Sequence, residues 1–257
     1  MDNQAEKQKN HFKNISDDYY SSRQHNNHLL LKELMWAYFF ADKEYLAKQN
    51  MRVLEPMCGY GEGKRILEKC LNIMIQYEGI DYSEDMVNIA KAINPKININ
   101  VTNVMRFHTS QQYDLIILLG GLHHIHDYAE KVVRKFYTFL RPGGYFINFE
   151  PTYNNCLYKV IRKNIYRSNS IFDEQTEDAF ALTKINRIYL SSGFKIIDQI
   201  FPGLISYVFY YNPDAFPCLN IGKEWLVRLL FNIDKIIFKS RIGRKFSFAT
   251  LTLLQKI

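Results

Sequence analysis

The sequence predicts an α/β fold, a mostly parallel sheet with helices on both faces and an antiparallel last strand. Three observations predict it. Apolar strand-like runs alternate with helix-length segments from residue 51 to 150. Two of those runs end in a carboxylate, with a glycine-rich turn between them. A third run, Tyr113-Asp114-Leu115-Ile116-Ile117-Leu118-Leu119, is nearly unbroken, as in a strand buried on both faces.

Taken in order, residues 1–10 are polar and charged and carry no apolar core, so they do not read as a signal peptide. Residues 11–23 form a short aromatic-bearing lead-in, and 29–48 repeat apolar residues at helical spacing through Leu30, Leu34, Trp36, Phe39 and Phe40. Next comes Arg52-Val53-Leu54-Glu55-Pro56-Met57-Cys58-Gly59-Tyr60-Gly61-Glu62-Gly63, an apolar strand, a carboxylate, a glycine turn and the start of a helix over 64–70. Glycine serves where the backbone takes positive φ or presses against a ligand, and the amides opening such a helix suit a nucleotide-like molecule. A dinucleotide fingerprint needs G-x-G-x-x-G, and from Gly59 that spacing falls on Lys64. A fixed carboxylate would also repel a pyrophosphate. S-adenosylmethionine (SAM) carries a sulfonium and an ammonium, so Glu55 favours SAM over a nicotinamide dinucleotide.

A second strand over residues 73–80 ends at Asp81, 26 residues after Glu55, room for one helix and the next strand. A carboxylate there accepts hydrogen bonds from two ribose hydroxyls at once. Ser83 then caps a helix with acids in its first turn. Residues 97–104 supply a third strand. The fourth ends at Gly120-Gly121, followed by Leu122-His123-His124, at the strand end where open α/β sheets bind ligands. Residues 140–150 close this region. Beyond it, 174–192 reads as a helix, 195–200 as a strand and 246–255 as the closing strand.

These residues resemble the class I SAM-dependent methyltransferases of the small-molecule kind, similar to those of quinone and sugar biosynthesis, over roughly residues 12–150. The resemblance implies a Rossmann-like, seven-stranded, mostly parallel sheet with the last strand antiparallel. Its first turn, D/E-x-G-x-G-x-G, falls on Glu55, Met57, Gly59 and Gly61, with Met57 in place of the first glycine. It implies cofactor contacts from Tyr19, Glu55, Met57, Gly59, Gly61, Asp81, Tyr82, Asn103, Val104 and Gly120. Tyr19 matches an N-terminal tyrosine that folds over SAM, and Asn103 stands where an acid often meets the adenine amino group. His123, His124 and Glu150 are the candidate catalytic residues, since histidine suits proton removal near neutral pH. No metal site is read.

At 257 residues the chain is long enough for one core with an appendage. It divides into a lead-in and cofactor cover at 1–48, a SAM-binding core at 49–200, a lid or substrate insertion at 201–245 and the closing strand at 246–257. Four cysteines without a CxxC pair point to reduced thiols in the cytoplasm, and Cys58 reads as a small buried side chain. No apolar stretch reaches the length of a membrane span. Residues 223–245 hold seven basic and two acidic residues, a surplus of five out of the net +7, on an apolar helical pattern. This helix reads either as a lid with a solvated basic face or as a surface meeting anionic membrane or a phosphate-bearing substrate. Nucleic acid is disfavoured: after the fourth strand Gly120-Gly121-Leu122-His123 replaces the Asn/Asp-Pro-Pro-Tyr turn of amino-directed nucleic-acid methyltransferases. The expected function is methyl transfer to an O or N atom of a small-molecule acceptor, with histidine assistance. The alternatives are a SAM-binding module that has lost catalysis and an RNA methyltransferase.

Overall fold

Continuous apolar runs become the inner strands of a single sheet. The structure is a computed structural model, and it describes residues 20–154, 179–213 and 217–257. Its strands are β1 (Arg52–Pro56), β2 (Gln76–Asp81), β3 (Ile99–Val101), β4 (Tyr113–Leu119), β5 (Leu140–Tyr153), β6 (Phe180–Ala181), β7 (Phe194–Ile200) and β8 (Ala249–Lys256). Seven run in the order β3-β2-β1-β4-β5-β8-β7, and the two-residue β6 adds an eighth beside the end of β5. Strands β1 to β5 pair in parallel, and β8 runs antiparallel to both β5 and β7. The winding reverses between β1 and β4, so a crevice opens at their carboxyl ends.

Helices cover both faces: α1 (Asn26–Phe40), α2 (Glu62–Leu71), α3 (Glu84–Ile93), α4 (Ala129–Phe139), α5 (Leu182–Ser191), α6 (Ile205–Tyr210), α7 (Glu224–Asp234) and α8 (Arg241–Phe246). Residues of β4 alternate between two cores. Leu115 and Ile117 join the core under α1, α2, α3, α6 and α7, while Ile116 and Leu118 join the core under α4 and α5. Burial on both sides explains why that strand is apolar without alternation. On α4 the buried residues Ala129, Val132, Val133, Phe136 and Phe139 form one helical stripe. Each fully buried large side chain contributes about 1.5–3 kcal/mol.

Several boundaries differ from expectation, each for a local reason. The first helix stops at Phe40 rather than 48, and a short 3-10 turn over Glu44–Leu46 follows. Strand β2 begins at Gln76, because Asn72 ends α2 in the left-handed region and residues 73–75 form the return. The helix expected over 174–192 starts at Leu182, with Phe180–Ala181 extended beside β5; residues 174–178 lie outside the described residues. The single basic helix expected within 223–245 is two helices. Between them Asp234 turns inward, where its Oδ2 accepts from Ser206 N (2.6 Å) and Ser206 Oγ (2.7 Å), and Ser240 caps α8 by accepting from Gly243 N (3.0 Å). Phe246 ends α8, so the closing strand starts at Ala249. The β7–β8 connection thus builds α6, α7 and α8, and α7 with the turn after it packs on α1 through Tyr38, Phe231 and Phe238.

Candidate active site

The turn after β1 is built on left-handed backbone. Met57, Gly59 and Gly61 have φ of 53°, 53° and 79°. A Cβ on Gly61 would lie 2.7 Å from Ile97 Cδ1, so only glycine fits. Met57 adopts the same region without that freedom, at a cost of about 1–2 kcal/mol, in the place where the first glycine was expected. Glu55 is buried within the turn. Its Oε1 accepts from Gly63 N (2.9 Å) and its Oε2 from Tyr77 Oη (2.6 Å). Burial pushes this carboxyl up to about 8, against the pull of those two donors. Glu55 therefore joins the start of α2 to β2.

Asp81 binds the same turn from β2. Its Oδ2 accepts from Gly59 N (2.8 Å) and its Oδ1 from Ser83 N (2.9 Å), while Ser83 Oγ accepts from Met86 N at the head of α3. The Tyr82 amide also bonds this carboxylate, which retains capacity for a further donor. Tyr82 follows, half-buried. Burial pushes the Cys58 thiol well up, as befits a buried packing residue. Asn103 Oδ1 accepts from Met105 N (2.8 Å), shaping the loop after β3, and Val104 packs into the core under α4. Tyr19 lies outside the described residues. Its neighbour Tyr20 sets its ring edge-on to Tyr60 of the glycine turn, centroids 5.3 Å apart, so the lead-in does reach this turn.

The histidine pair stands across the crevice. Gly120, at φ 75°, donates to Phe149 O (2.7 Å). Glu150 on β5 is 1% exposed. Its Oε1 accepts from Gly121 N (2.9 Å) and Leu122 N (2.8 Å), and its Oε2 lies 2.9 Å from His123 Nδ1. Burial pushes the Glu150 carboxyl up to about 8, and the surrounding amides act in the opposite sense. The His124 ring lies against His123, centroids 4.0 Å apart, and is the more exposed of the two. The geometry thus separates the three candidates: Glu150 positions, His123 is positioned, and His124 flanks.

Sequence reasoning missed a second buried polar group, on α1. Lys32 on α1 forms an ion pair with Glu62, which also takes Arg65 at 3.2 Å. His28, one turn before Lys32, is fully buried, and its Nδ1 lies 2.7 Å from Tyr211 O. A carbonyl only accepts, so Nδ1 carries the proton. Burial and the nearby Lys32 and Arg23 lower the His28 pKa well below the usual value, leaving the ring neutral. Tyr211 stacks on Tyr207 at 4.5 Å, and Phe149 meets Tyr211 at 5.3 Å. Of the aromatics in 201–245, Phe201, Tyr210, Phe231 and Phe238 are core; Phe216 lies outside the described residues. The four-residue step from His28 to Lys32 was the available signal, hidden among apolar neighbours.

A doubly wound sheet with this turn and acidic strand ends defines a class I SAM-dependent methyltransferase. Residues 53–144 match the model of the methyltransferase domain family, and the chain is a SAM-dependent methyltransferase. A demethylmenaquinone methyltransferase from Oceanobacillus iheyensis is 22% identical over 184 residues, covering 61% of this chain and 76% of the relative. Among solved structures, a candidate sarcosine dimethylglycine methyltransferase from Galdieria sulphuraria superposes with a TM-score of 0.62, at 14% identity over 88% of this chain and 86% of that one. The phosphoethanolamine N-methyltransferase 2 of Haemonchus contortus, in complex with S-adenosylhomocysteine, gives a TM-score of 0.58 at 16% identity over 86% of this chain and 52% of that one. The residues fit SAM as cofactor: Gly59 and Gly61 hold the turn after β1 in left-handed backbone, and the Asp81 carboxylate binds that same turn. Among the described residues no helix is long and apolar enough to cross a membrane.

Proposed function

We propose that the enzyme methylates an oxygen or nitrogen of a small-molecule acceptor, a sugar or other biosynthetic intermediate, and that His123 removes the acceptor's proton. The observation that carries this reading is the 2.9 Å approach of His123 Nδ1 to the buried Glu150 carboxylate. Bound SAM supplies an electrophilic methyl on a sulfonium. Glu55 shapes the turn that cradles it, Asp81 offers its remaining lone pairs to ribose hydroxyls, and Asn103, Val104, Tyr82 and Gly120 border the same cleft. Positioning accounts for much of the rate of such a displacement.

With Glu150 ionised, Nδ1 donates to Oε2 and Nε2 is free to accept; burial holds this carboxyl up to about 8, so that form builds up as pH rises toward and past that value. When Nε2 takes the acceptor's proton, an imidazolium faces a carboxylate, which stabilises it. The stacked Tyr207 and Tyr211 beside Phe149 suit an acceptor with an apolar, planar body. The likeness to a demethylmenaquinone methyltransferase supports a quinone-like intermediate over a polar one.

Incubating the protein with radiolabelled SAM and a metabolite extract tests the reading and isolates the acceptor. The expected result is label in one small molecule, with His123→Ala slowing transfer by about 10²–10⁴-fold at unchanged SAM affinity. SAM binding without any transfer would make the chain a binding module instead.

A further inference from the structure

Helix α7 has two apolar faces. Val227 and Phe231 are buried against α1 and its surroundings. On the opposite side Trp225, Leu229 and Ile233 recur at steps of four residues and stand 63%, 47% and 48% exposed, and Ile236, in the turn just past the helix end, continues the stripe at 77%. Ile242 on α8 adds a fifth at 57%. A helix that only covers a core carries polar residues on its outer face, so this second stripe has no explanation in folding.

Its rim is cationic. Lys223, Arg228, Lys235 and Arg241 are exposed, and none forms an ion pair among the described residues. Of the two acids in the segment, Asp234 is buried and bonded to Ser206, which leaves Glu224 alone on the surface.

We propose that the α7–α8 face docks on an anionic lipid bilayer, with Trp225, Leu229 and Ile236 entering the boundary between headgroups and acyl chains. Tryptophan and branched aliphatics on one side, flanked by lysine and arginine, are what an interfacial helix needs. A second copy of the chain fits poorly, because two-fold pairing sets the cationic rim against itself. Nucleic acid would use the rim but not the stripe. The proposal rests on α7 and α8 alone and is independent of how the acceptor's proton is removed.

The chain has two tryptophans, and Trp36 is buried, so Trp36→Phe leaves Trp225 as the reporter. Vesicles of phosphatidylcholine with about one-third phosphatidylglycerol should sediment the protein and shift its emission to the blue. Pure phosphatidylcholine should bind about a hundredfold more weakly, and about 0.5 M salt should release the protein. If Trp36→Phe does not fold, quenching of the unaltered protein by brominated lipid gives the same reading. Leu229→Glu with Ile236→Glu should abolish vesicle binding while circular dichroism and SAM affinity hold. No binding to the anionic vesicles overturns the proposal, as does undiminished binding by the double variant. So does a dimer in light scattering that the double variant abolishes, or duplex binding that it leaves intact.

Discussion

Glu150 Oε2 lies 2.9 Å from His123 Nδ1, while the other oxygen of the same carboxylate takes the amides of Gly121 and Leu122. One buried side chain on β5 therefore fixes both the backbone after β4 and the orientation of an imidazole. In Glu150→Gln the amide oxygen can keep the two backbone donors, but the NH2 group must face Nδ1. That places the ring proton on Nε2 and removes the proton acceptor. We expect kcat to fall by about 10²–10⁴-fold with SAM affinity unchanged. Steady-state kinetics with the identified acceptor, alongside calorimetric SAM binding, decide it. A variant that loses only thermal stability would show that Glu150 merely holds the loop.

Asp81→Asn should weaken SAM binding by roughly 1.5–3 kcal/mol, about tenfold and upward. The amide cannot accept from Gly59, Ser83 and two hydroxyls at once, although it keeps the shape of the side chain. Calorimetry on the folded variant is the measurement. An unchanged dissociation constant would refute the ribose assignment.

The strands were legible where one physical constraint dominates. A run buried on both faces is apolar throughout, as in β4, and an acid at a strand's carboxyl end ties down the neighbouring turn, as at Asp81. The helix spans were less legible because their ends depend on distant partners. Nothing local says that Asp234 will turn inward to Ser206 and break the basic helix. In the site, the turn and the histidine pair were found through their spacing. The place of Glu55, tied to Gly63 and Tyr77, depends on a pairing 22 residues away that no local pattern records. His28 and Lys32 were hidden for the same reason, since their partners Tyr211 and Glu62 come from elsewhere in the chain.

Stability should fall as pH rises from about 4.5 to about 8. Burial raises the Glu55 and Glu150 carboxyls from 4.5 to about 8, so in this window the folded state binds more protons than the unfolded one. Glu62 and Asp198, lowered by Lys32 and by Lys43 with Lys239 against their own burial, act the other way in acid, and buried neutral His28 opposes the decline below its ordinary value of 6.5, so the fall is steepest above that value. Glu55→Gln keeps an acceptor for Gly63 N, and Tyr77 Oη can accept from the new amide. The variant should flatten the decline and be more stable than the parent at alkaline pH, by on the order of a few kcal/mol at most. Urea unfolding across this pH range is the check, and an equally steep decline in the variant would clear Glu55 of responsibility.

The last prediction separates acceptor from cofactor. Tyr207 is half-buried and stacks on Tyr211, whereas Tyr210 is fully buried and donates to Ile221 O. Truncating Tyr210 should destabilise the fold by about 3–5 kcal/mol, as for other large core aromatics, and so says nothing about ligands. Tyr207→Ala removes an aromatic surface worth about 0.5–1.5 kcal/mol beyond its buried area, which should raise the acceptor's KM by up to about tenfold and leave SAM affinity alone. Competition between acceptor and SAM arms in one kinetic series reads both at once. Lost SAM binding with an unmoved acceptor KM would place the Tyr207 wall over the cofactor, and the 201–245 insertion would then cover the wrong ligand.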